Sequence, residues 1–154
     1  MYQMSIYGGP LIRPLFTREE FTSDVVDPRD VSSVMFGFSV RADFAFTQFA
    51  DIKEVRFPAG SKWLDLNTME VLIAPLNAPL SIMRKVDIDQ SVGMYQEQAS
   101  VIALQDAKTY QVKRIEDLRQ VPIQLSIVLN ADQLATGFVN IEQGPISSKQ
   151  TLQY

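Results

Sequence analysis

Cysteine and histidine are both absent from this 154-residue chain, and the two absences exclude a large part of enzyme chemistry. A chain without cysteine forms no disulfide and has no thiol nucleophile. Without histidine there is no Ser-His-Asp triad, and no zinc or iron site can be built on histidine or cysteine. Carboxylates are the acid–base groups that remain, and the chain has 18 of them. We therefore expect no metal site and no cofactor.

Long apolar runs and basic stretches are lacking as well. No run of about 18 apolar residues exists, and the first residues have neither the basic flank nor the apolar region of a signal peptide. The formal net charge is −4 and the basic residues are scattered, which argues against a phosphate-backbone partner. We expect no nucleic-acid binding and no membrane insertion, and the sequence favours no compartment.

The sequence is typical of a β-rich globular domain. Its hydrophobic share of 46% and charged share of 21% are the balance of a chain with one ordinary core. Short alternating apolar runs, separated by prolines at positions 58, 75 and 79, predict strands. The candidates are 39–46, 52–57, 62–66, 70–74, 80–84 and 99–104. Their spacing predicts an antiparallel two-layer β-sandwich.

The remaining segments have weaker patterns. Residues 90–98 are predicted to be a polar connection, whereas 109–119 fit either a strand or a helix. Residues 123–129 alternate strictly, and 135–141 are predicted to return beside them as an antiparallel partner. Ahead of the sandwich we predict a helix end at 1–7, a short buried strand at 11–16 and a loop at 17–33.

Residues 54–66 contain the only tryptophan. Val55 and Phe57 alternate with charged residues, and a Pro-Ala-Gly turn then stops the strand. This pattern predicts a β-hairpin in which Trp63 fills the core between two layers, although a surface indole that stacks on a ligand is the competing interpretation. The phenylalanines at 36, 38, 44, 46 and 49 are interpreted as a buried strand face rather than a ligand platform.

Several short motifs follow one another along the chain. They are Gly-x-Pro-x-x-Arg-Pro-Leu-Phe at 8–16, Met-Phe-Gly at 35–37, Phe-Pro-Ala-Gly-x-x-Trp-x-Asp-Leu at 57–66, Ala-Pro-Leu at 74–76, Met-Arg at 83–84, and a turn with Leu134, Ala135 and Gly137. In this order and at these spacings the chain resembles the C-terminal part of the α-glucosidase family of glycoside hydrolases, family thirty-one. The resemblance covers most of the chain.

The resemblance implies a division into domains. Residues 1–37 correspond to the closing segment of a (β/α)8 barrel, 38–145 to the C-terminal β-sandwich that follows it, and 146–154 to a tail. Within this arrangement Arg13, Gly60 and Trp63 are expected to have structural roles.

The resemblance also bears on catalysis. The two catalytic aspartates of such enzymes lie on barrel strands that precede the matched region, so we expect no catalytic residue in this chain. The carboxylates that the chain does have are interpreted as solvated surface groups. One departure from the family pattern is Arg41-Ala42-Asp43, which stands where Val-Ala-Pro is usual.

The segment that would close a barrel leads to a prediction about partners. Its apolar side chains need a cover that this chain does not supply, so we predict a partner interface there. The interface residues are Tyr2, Ile6, Leu11, Leu15 and Phe16. The partner is expected to be the polypeptide that carries the rest of the barrel, or a larger assembly.

Two functions remain open. The first is a non-catalytic C-terminal portion or subunit of an α-glucosidase-like protein of carbohydrate metabolism. The second is a stand-alone β-sandwich binding or assembly module without hydrolase activity.

Overall fold

A computed structural model describes residues 10–22, 25, 27, 29, 31–45, 51–86 and 92–138 of the chain. Within these residues the regular structure is ten β-strands and two short 3-10 helices. The strands are β1 Ile12–Pro14, β2 Ser33–Phe36, β3 Val40–Phe44, β4 Ile52–Phe57, β5 Lys62–Asp65, β6 Val71–Ile73, β7 Leu80–Lys85, β8 Val92–Glu97, β9 Ser100–Leu104 and β10 Gln124–Val128. The 3-10 helices are Leu15–Thr17 and Ile115–Gln120. The chain divides into two compact units, Met1–Gln98 and Ala99–Tyr154.

The first unit contains two antiparallel sheets. Six strands form one sheet in the order β1-β2-β3-β8-β5-β6, and β4 pairs with β7 in the other. Val55 and Phe57 of β4 share one buried cluster with Trp63 of β5 and Tyr95 of β8. The two sheets therefore face each other across a common core, and the predicted mainly β, antiparallel two-layer arrangement is confirmed.

Trp63 lies in the middle of this core and is fully buried. Its ring centroid is 5.6 Å from that of Phe57 and 6.2 Å from that of Phe21, which meets it edge-on. The indole Nε1 donates a hydrogen bond of 2.9 Å to Oγ of Ser61, so the polar end of the side chain is satisfied inside the core. The prediction that Trp63 fills the space between two layers is confirmed.

Residues 54–66 do not form a hairpin, and that prediction is wrong. β4 pairs with β7, whereas β5 pairs with β6 and β8 in the other sheet. The intervening turn carries the chain from one layer to the other. Gly60 has a φ of +70°, and its N–H donates to the carbonyl oxygen of Pro75 at 2.8 Å. An alternating pattern predicts which side chains are buried. It does not distinguish two strands of one hairpin from two strands in opposite layers, because both alternate.

β8 lies in the segment that was predicted to be a polar connection, so that prediction is also wrong. The strand is central, with β3 on one side and β5 on the other. Gln96 is buried within it, and Glu97 is paired with Arg18. Glu97 is satisfied by a partner distant in sequence, which is why its polarity did not indicate exposure.

The second unit contains a two-stranded antiparallel sheet. β10 pairs with β9, in a register that places Gln124 opposite Leu104 and Val128 opposite Ser100. The returning segment does not pair with β10 as predicted. Thr136 instead forms a parallel bridge to Ser100 on β9, while 139–141 lie outside the described residues. The ambiguous stretch 109–119 forms turns followed by most of the second 3-10 helix.

Two further predictions near the start of the sheet need correction. β1 is largely exposed rather than buried, and of residues 11–16 only Leu15 reaches the core. Phe38 is 60% exposed, so the phenylalanines do not form one buried face. Phe36 and Phe44 are half-buried, whereas positions 46 and 49, like the predicted helix end at 1–7, lie outside the described residues.

We expect Trp63→Ala to lower the free energy of unfolding by about 3–5 kcal/mol, because it removes the largest buried side chain and leaves a cavity between the two layers. Met83→Ala is the control, since Met83 is 72% exposed and should change stability little. Urea unfolding followed by far-ultraviolet circular dichroism measures both variants. Equal stability of the two variants would contradict the central role of the indole.

Candidate functional site

The most deeply buried charges in the described residues lie on β3. Arg41 and Asp43 are two positions apart, so both side chains point to the face of the sheet that meets the core. The guanidinium and carboxylate form two hydrogen bonds, Nε to Oδ2 at 2.6 Å and Nη2 to Oδ1 at 2.9 Å. This two-bond geometry is the strongest form of an arginine–carboxylate contact.

Further groups complete this buried cluster, which we call the charge cluster and define as Ser33, Arg41, Asp43 and Lys53. The hydroxyl of Ser33 donates to Asp43 Oδ1, and the ammonium of Lys53 lies 3.8 Å from the same oxygen. Arg41 also donates to the carbonyl oxygen of Arg56 at 2.5 Å. Each charge therefore has a partner, as a charge removed from water requires.

Aromatic rings enclose the charge cluster on its core side. The Arg41 guanidinium lies over the ring of Phe57 with 5.0 Å to its centroid, and 5.6 Å from the centroid of Phe21. A guanidinium removed from water is attracted by aromatic ring faces at these distances. The Asp43 carboxylate has no exposed surface and cannot reach a substrate, so the arrangement stabilises the fold rather than performing acid–base chemistry.

A second buried carboxylate, Asp65, closes a turn. Its Oδ1 accepts hydrogen bonds from the backbone N–H of Asn67 at 2.8 Å and of Thr68 at 3.3 Å. This local bonding is the usual structural use of aspartate at a turn. The interpretation of the carboxylates as solvated surface groups is therefore wrong for Asp43 and Asp65. Asp27 and Glu54, by contrast, are exposed and paired with nearby arginines.

Arg18 and Glu97 form a second bidentate ion pair. The two hydrogen bonds, from Nη1 and Nη2 to the two carboxylate oxygens, are 2.7 Å and 2.9 Å long. Glu20 contacts the same guanidinium. Burial raises the pKa of the Glu97 carboxyl, and the hydrogen bonds from Arg18 only partly oppose this effect. The pair ties the segment after the first 3-10 helix to the central strand β8.

Tyr95 faces the charge cluster but is packed as a core aromatic. Its ring meets Phe57 edge-on with centroids 5.0 Å apart, and its hydroxyl is buried without a hydrogen-bond partner in the described structure. Burial, with the nearby charges of Asp43 and Asp65, raises the pKa of the Tyr95 phenol. The phenol therefore stays neutral at ordinary pH and is unsuited to act as a base.

The predicted structural residues occupy different places. Trp63 is in the core and Gly60 is in the turn between the layers. Arg13 lies on β1, where its Nη2 donates to the carbonyl oxygen of Gly37 at 2.8 Å and its guanidinium covers the Phe38 ring at 4.9 Å. Arg13 therefore fixes the β2–β3 turn, in which Gly37 has a φ of +61°.

The predicted interface residues are not brought together as one exposed group. Leu15 is buried in the core of this chain, whereas Leu11 and Phe16 are exposed near β1. Tyr2 and Ile6 lie outside the described residues. Sequence reasoning noted Arg41 and Asp43 only as a departure from the family pattern, although opposite charges two apart in an apolar strand are a signal for a paired, inward-facing ion pair.

Neither a metal-ligand cluster nor a membrane-spanning helix occurs among the described residues. In that part of the chain, no group of three or more carboxylate, histidine or cysteine side chains is placed to hold a metal ion. Among the same residues, no helix has the length and apolar character needed to cross a membrane.

Comparison with known proteins gives a likeness of fold. No protein-family model matches the chain, and no curated protein matches its sequence. Among solved structures, a DNJ-bound crystal structure of a glucosidase II alpha subunit matches with a TM-score of 0.72 and 17% sequence identity. The match covers 93% of this chain but only 15% of that one. The fold is thus similar to part of that glucosidase II alpha subunit, and this chain spans a small fraction of its length.

We expect Arg41→Met and Asp43→Leu each to destabilise the protein by about 3–5 kcal/mol, because each leaves one buried charge without its partner. The double variant should be more stable than either single variant, since it removes both charges together. Thermodynamic double-mutant cycles from urea unfolding test this. The exposed Asp27–Arg29 pair is the control and should show coupling close to zero. Additive effects at Arg41 and Asp43 would refute the pairing.

The raised pKa of Glu97 predicts a pH dependence of stability. Because the folded state binds this proton more tightly than the unfolded state, the stabilising contribution is complete below the ordinary pKa of 4.5 and is lost as pH rises through the folded pKa. The unfolding free energy of the wild type relative to Glu97→Gln should therefore fall as pH is raised from about 4.5 to 7.

Glu54→Gln is the matched control for this measurement. Hydrogen bonds from Arg56 and Ser81 lower the pKa of the Glu54 carboxyl, so its contribution should have the opposite sign. A wild-type advantage over Glu97→Gln that grows with rising pH would show that pairing with Arg18 outweighs burial.

Proposed function

We propose that this chain is the non-catalytic C-terminal portion, or a separate subunit, of an α-glucosidase-like glycoside hydrolase, and that it braces a (β/α)8 barrel carried by another part of the protein. The observation that carries the proposal is the fold likeness, which extends over 93% of this chain while spanning 15% of the glucosidase II alpha subunit. The ordered motifs of the family, from the Arg-Pro-Leu-Phe segment to the Phe-Pro-Ala-Gly turn, support the same assignment.

The burial and hydrogen bonding of the carboxylates support a non-catalytic role. Glycoside hydrolysis requires two carboxyl groups facing one open site on either side of the scissile bond. Asp43 and Asp65 are buried and bonded within the fold, and Glu97 is held by Arg18. These groups are committed to stabilising the domain, so the reaction would be performed by residues of the barrel.

The first strand supports contact with a partner. β1 is at the edge of the six-stranded sheet and pairs with β2 on one side. Leu11, Ile12 and Phe16 present apolar surface around it. An apolar strand at a sheet edge favours association with another chain. β1 and β2 belong to the same sheet as β3, which lies beyond residue 37. We nevertheless propose that residues 1–37 correspond to the end of a barrel, as the family resemblance implies.

A second candidate is a stand-alone β-sandwich module without hydrolase activity. The observation that favours it is the closed core of the first unit, in which Trp63, Phe57, Tyr95, Met35 and Leu15 bury one another. A domain with such a core can fold without a barrel beside it.

The isolated chain should release no 4-nitrophenol from an aryl α-glucoside above buffer, because it lacks the catalytic pair of the barrel. In parallel, the natural protein that contains this sequence is purified by an affinity tag from the cells that produce it. Its polypeptides are then identified by mass spectrometry. We expect peptides of a glycoside hydrolase barrel, on the same polypeptide or on a second one.

An active α-glucosidase in the same assay controls for substrate and buffer. Turnover by the isolated chain that survives repurification would overturn the non-catalytic role. A monodisperse natural protein consisting of this chain alone would favour the stand-alone module instead.

A further inference from the structure

The interior of the first unit is polar at one end. On the six-stranded sheet, the register places Asp43 of β3 opposite Gly93 of β8, and Asp65 of β5 opposite Tyr95 of β8. Residues two apart on a strand share a face, so Gly93 and Tyr95 both face the core. Asp43, Asp65 and Tyr95 are all buried. Two buried carboxylates therefore flank the tyrosine, one on each neighbouring strand.

Two cations of the other layer reach the same end of the core. Lys53 of β4 lies opposite Arg84 of β7. The Lys53 ammonium donates to the carbonyl oxygen of Phe44 at 2.7 Å, and Nη2 of Arg84 donates to that of Val92 at 2.8 Å. Phe44 and Val92 are paired neighbours on β3 and β8. Charges of both signs from both layers thus meet where these two strands end.

The hydroxyl of Tyr95 is directed toward this polar end. A Cβ atom built on Gly93 would lie 2.8 Å from the hydroxyl oxygen and 3.1 Å from Cζ of the ring. The phenol therefore runs along its own strand and occupies the space that a larger residue at position 93 would need. Burial and the charges of Asp43 and Asp65 raise the pKa of the phenol, and Arg84 opposes this effect. The charged groups are therefore close enough to act on the hydroxyl.

No protein atom of the described structure forms a hydrogen bond with this hydroxyl, although the side chain is completely buried. An unsatisfied buried donor is costly, so buried hydroxyls are normally paired with protein atoms or with ordered water. Asp43 already accepts hydrogen bonds from Ser33 and Arg41. The two side-chain hydrogen bonds of Asp65 in the described structure both end on Oδ1, so its Oδ2 is the acceptor that remains.

We propose that Tyr95 and Asp65 bind one internal water molecule, which accepts a hydrogen bond from the tyrosine hydroxyl and donates one to Asp65 Oδ2. The surrounding charges identify the ligand. Asp43 and Asp65 disfavour an anion, whereas Arg41 and Arg84 disfavour a cation. Within the described residues no group of three or more carboxylates is placed to hold a metal ion. A small neutral molecule that both donates and accepts satisfies these conditions, and water is the smallest.

Urea unfolding of Tyr95→Phe tests the proposal in solution, because phenylalanine keeps the ring and removes only the hydroxyl. Loss of a satisfied hydrogen bond should raise the unfolding equilibrium constant about two- to tenfold. Loss of an unsatisfied buried hydroxyl should instead leave the constant unchanged or lower it. Tyr110→Phe is the matched control, since Tyr110 is 53% exposed and its hydroxyl removal should leave the constant unchanged.

A high-resolution crystal structure of the full chain gives the direct test. We expect a water molecule about 2.8 Å from both the Tyr95 hydroxyl oxygen and Asp65 Oδ2. A direct hydrogen bond between these two residues, an ion at this position, or no molecule there would overturn the proposal. A Tyr95→Phe variant at least as stable as the wild type would overturn it too. Neither result bears on the proposed function, because the site is built from the interior of this chain alone.

Discussion

The indole of Trp63 is the contact on which the two layers of the first unit depend. It fills the space between the sheets, touching Phe57 of one layer while belonging to the other. Its polar nitrogen must be satisfied in that space, and the hydroxyl of Ser61 is placed there by the turn that connects β4 to β5. The left-handed backbone of Gly60 makes this turn possible. The turn between the layers and the packing of the indole therefore both depend on residues 60–63.

The charge cluster shows how the same core accommodates ions. Arg41 and Asp43 are adjacent to Phe57 and Tyr95, where an unpaired charge would be costly. The bidentate contact, together with Ser33 and Lys53, compensates Arg41 and Asp43 for the hydration that they lose. A buried cluster of this kind favours one arrangement of the core side chains more than it raises stability. The Asp43 carboxylate therefore serves the fold and is closed to solvent.

Both layers of the first unit expose apolar side chains outside the common core. On the β4–β7 layer, the exposed Ile52 and Met83 lie beside the polar network of Glu54, Arg56 and Ser81. Exposed apolar groups also lie at both edges of the six-stranded sheet, with Ile12 on β1 and Val71 on β6. Apolar groups exposed singly in this way are normal on a protein surface.

The sequence by itself determined the β class, the bounds of β4, the burial of Trp63 and the place of the Gly60 turn, because alternation and turn chemistry are local properties. Only the tertiary structure decided which strands pair. The strands flanking the turn lie in different sheets, and Val92–Glu97 is a central strand although Gln96 and Glu97 are polar. The burial of Asp43 likewise depends on Arg41, Ser33 and Lys53, which β3, β2 and β4 bring together. A polar side chain is buried when distant partners satisfy it, and residue type alone does not identify those partners.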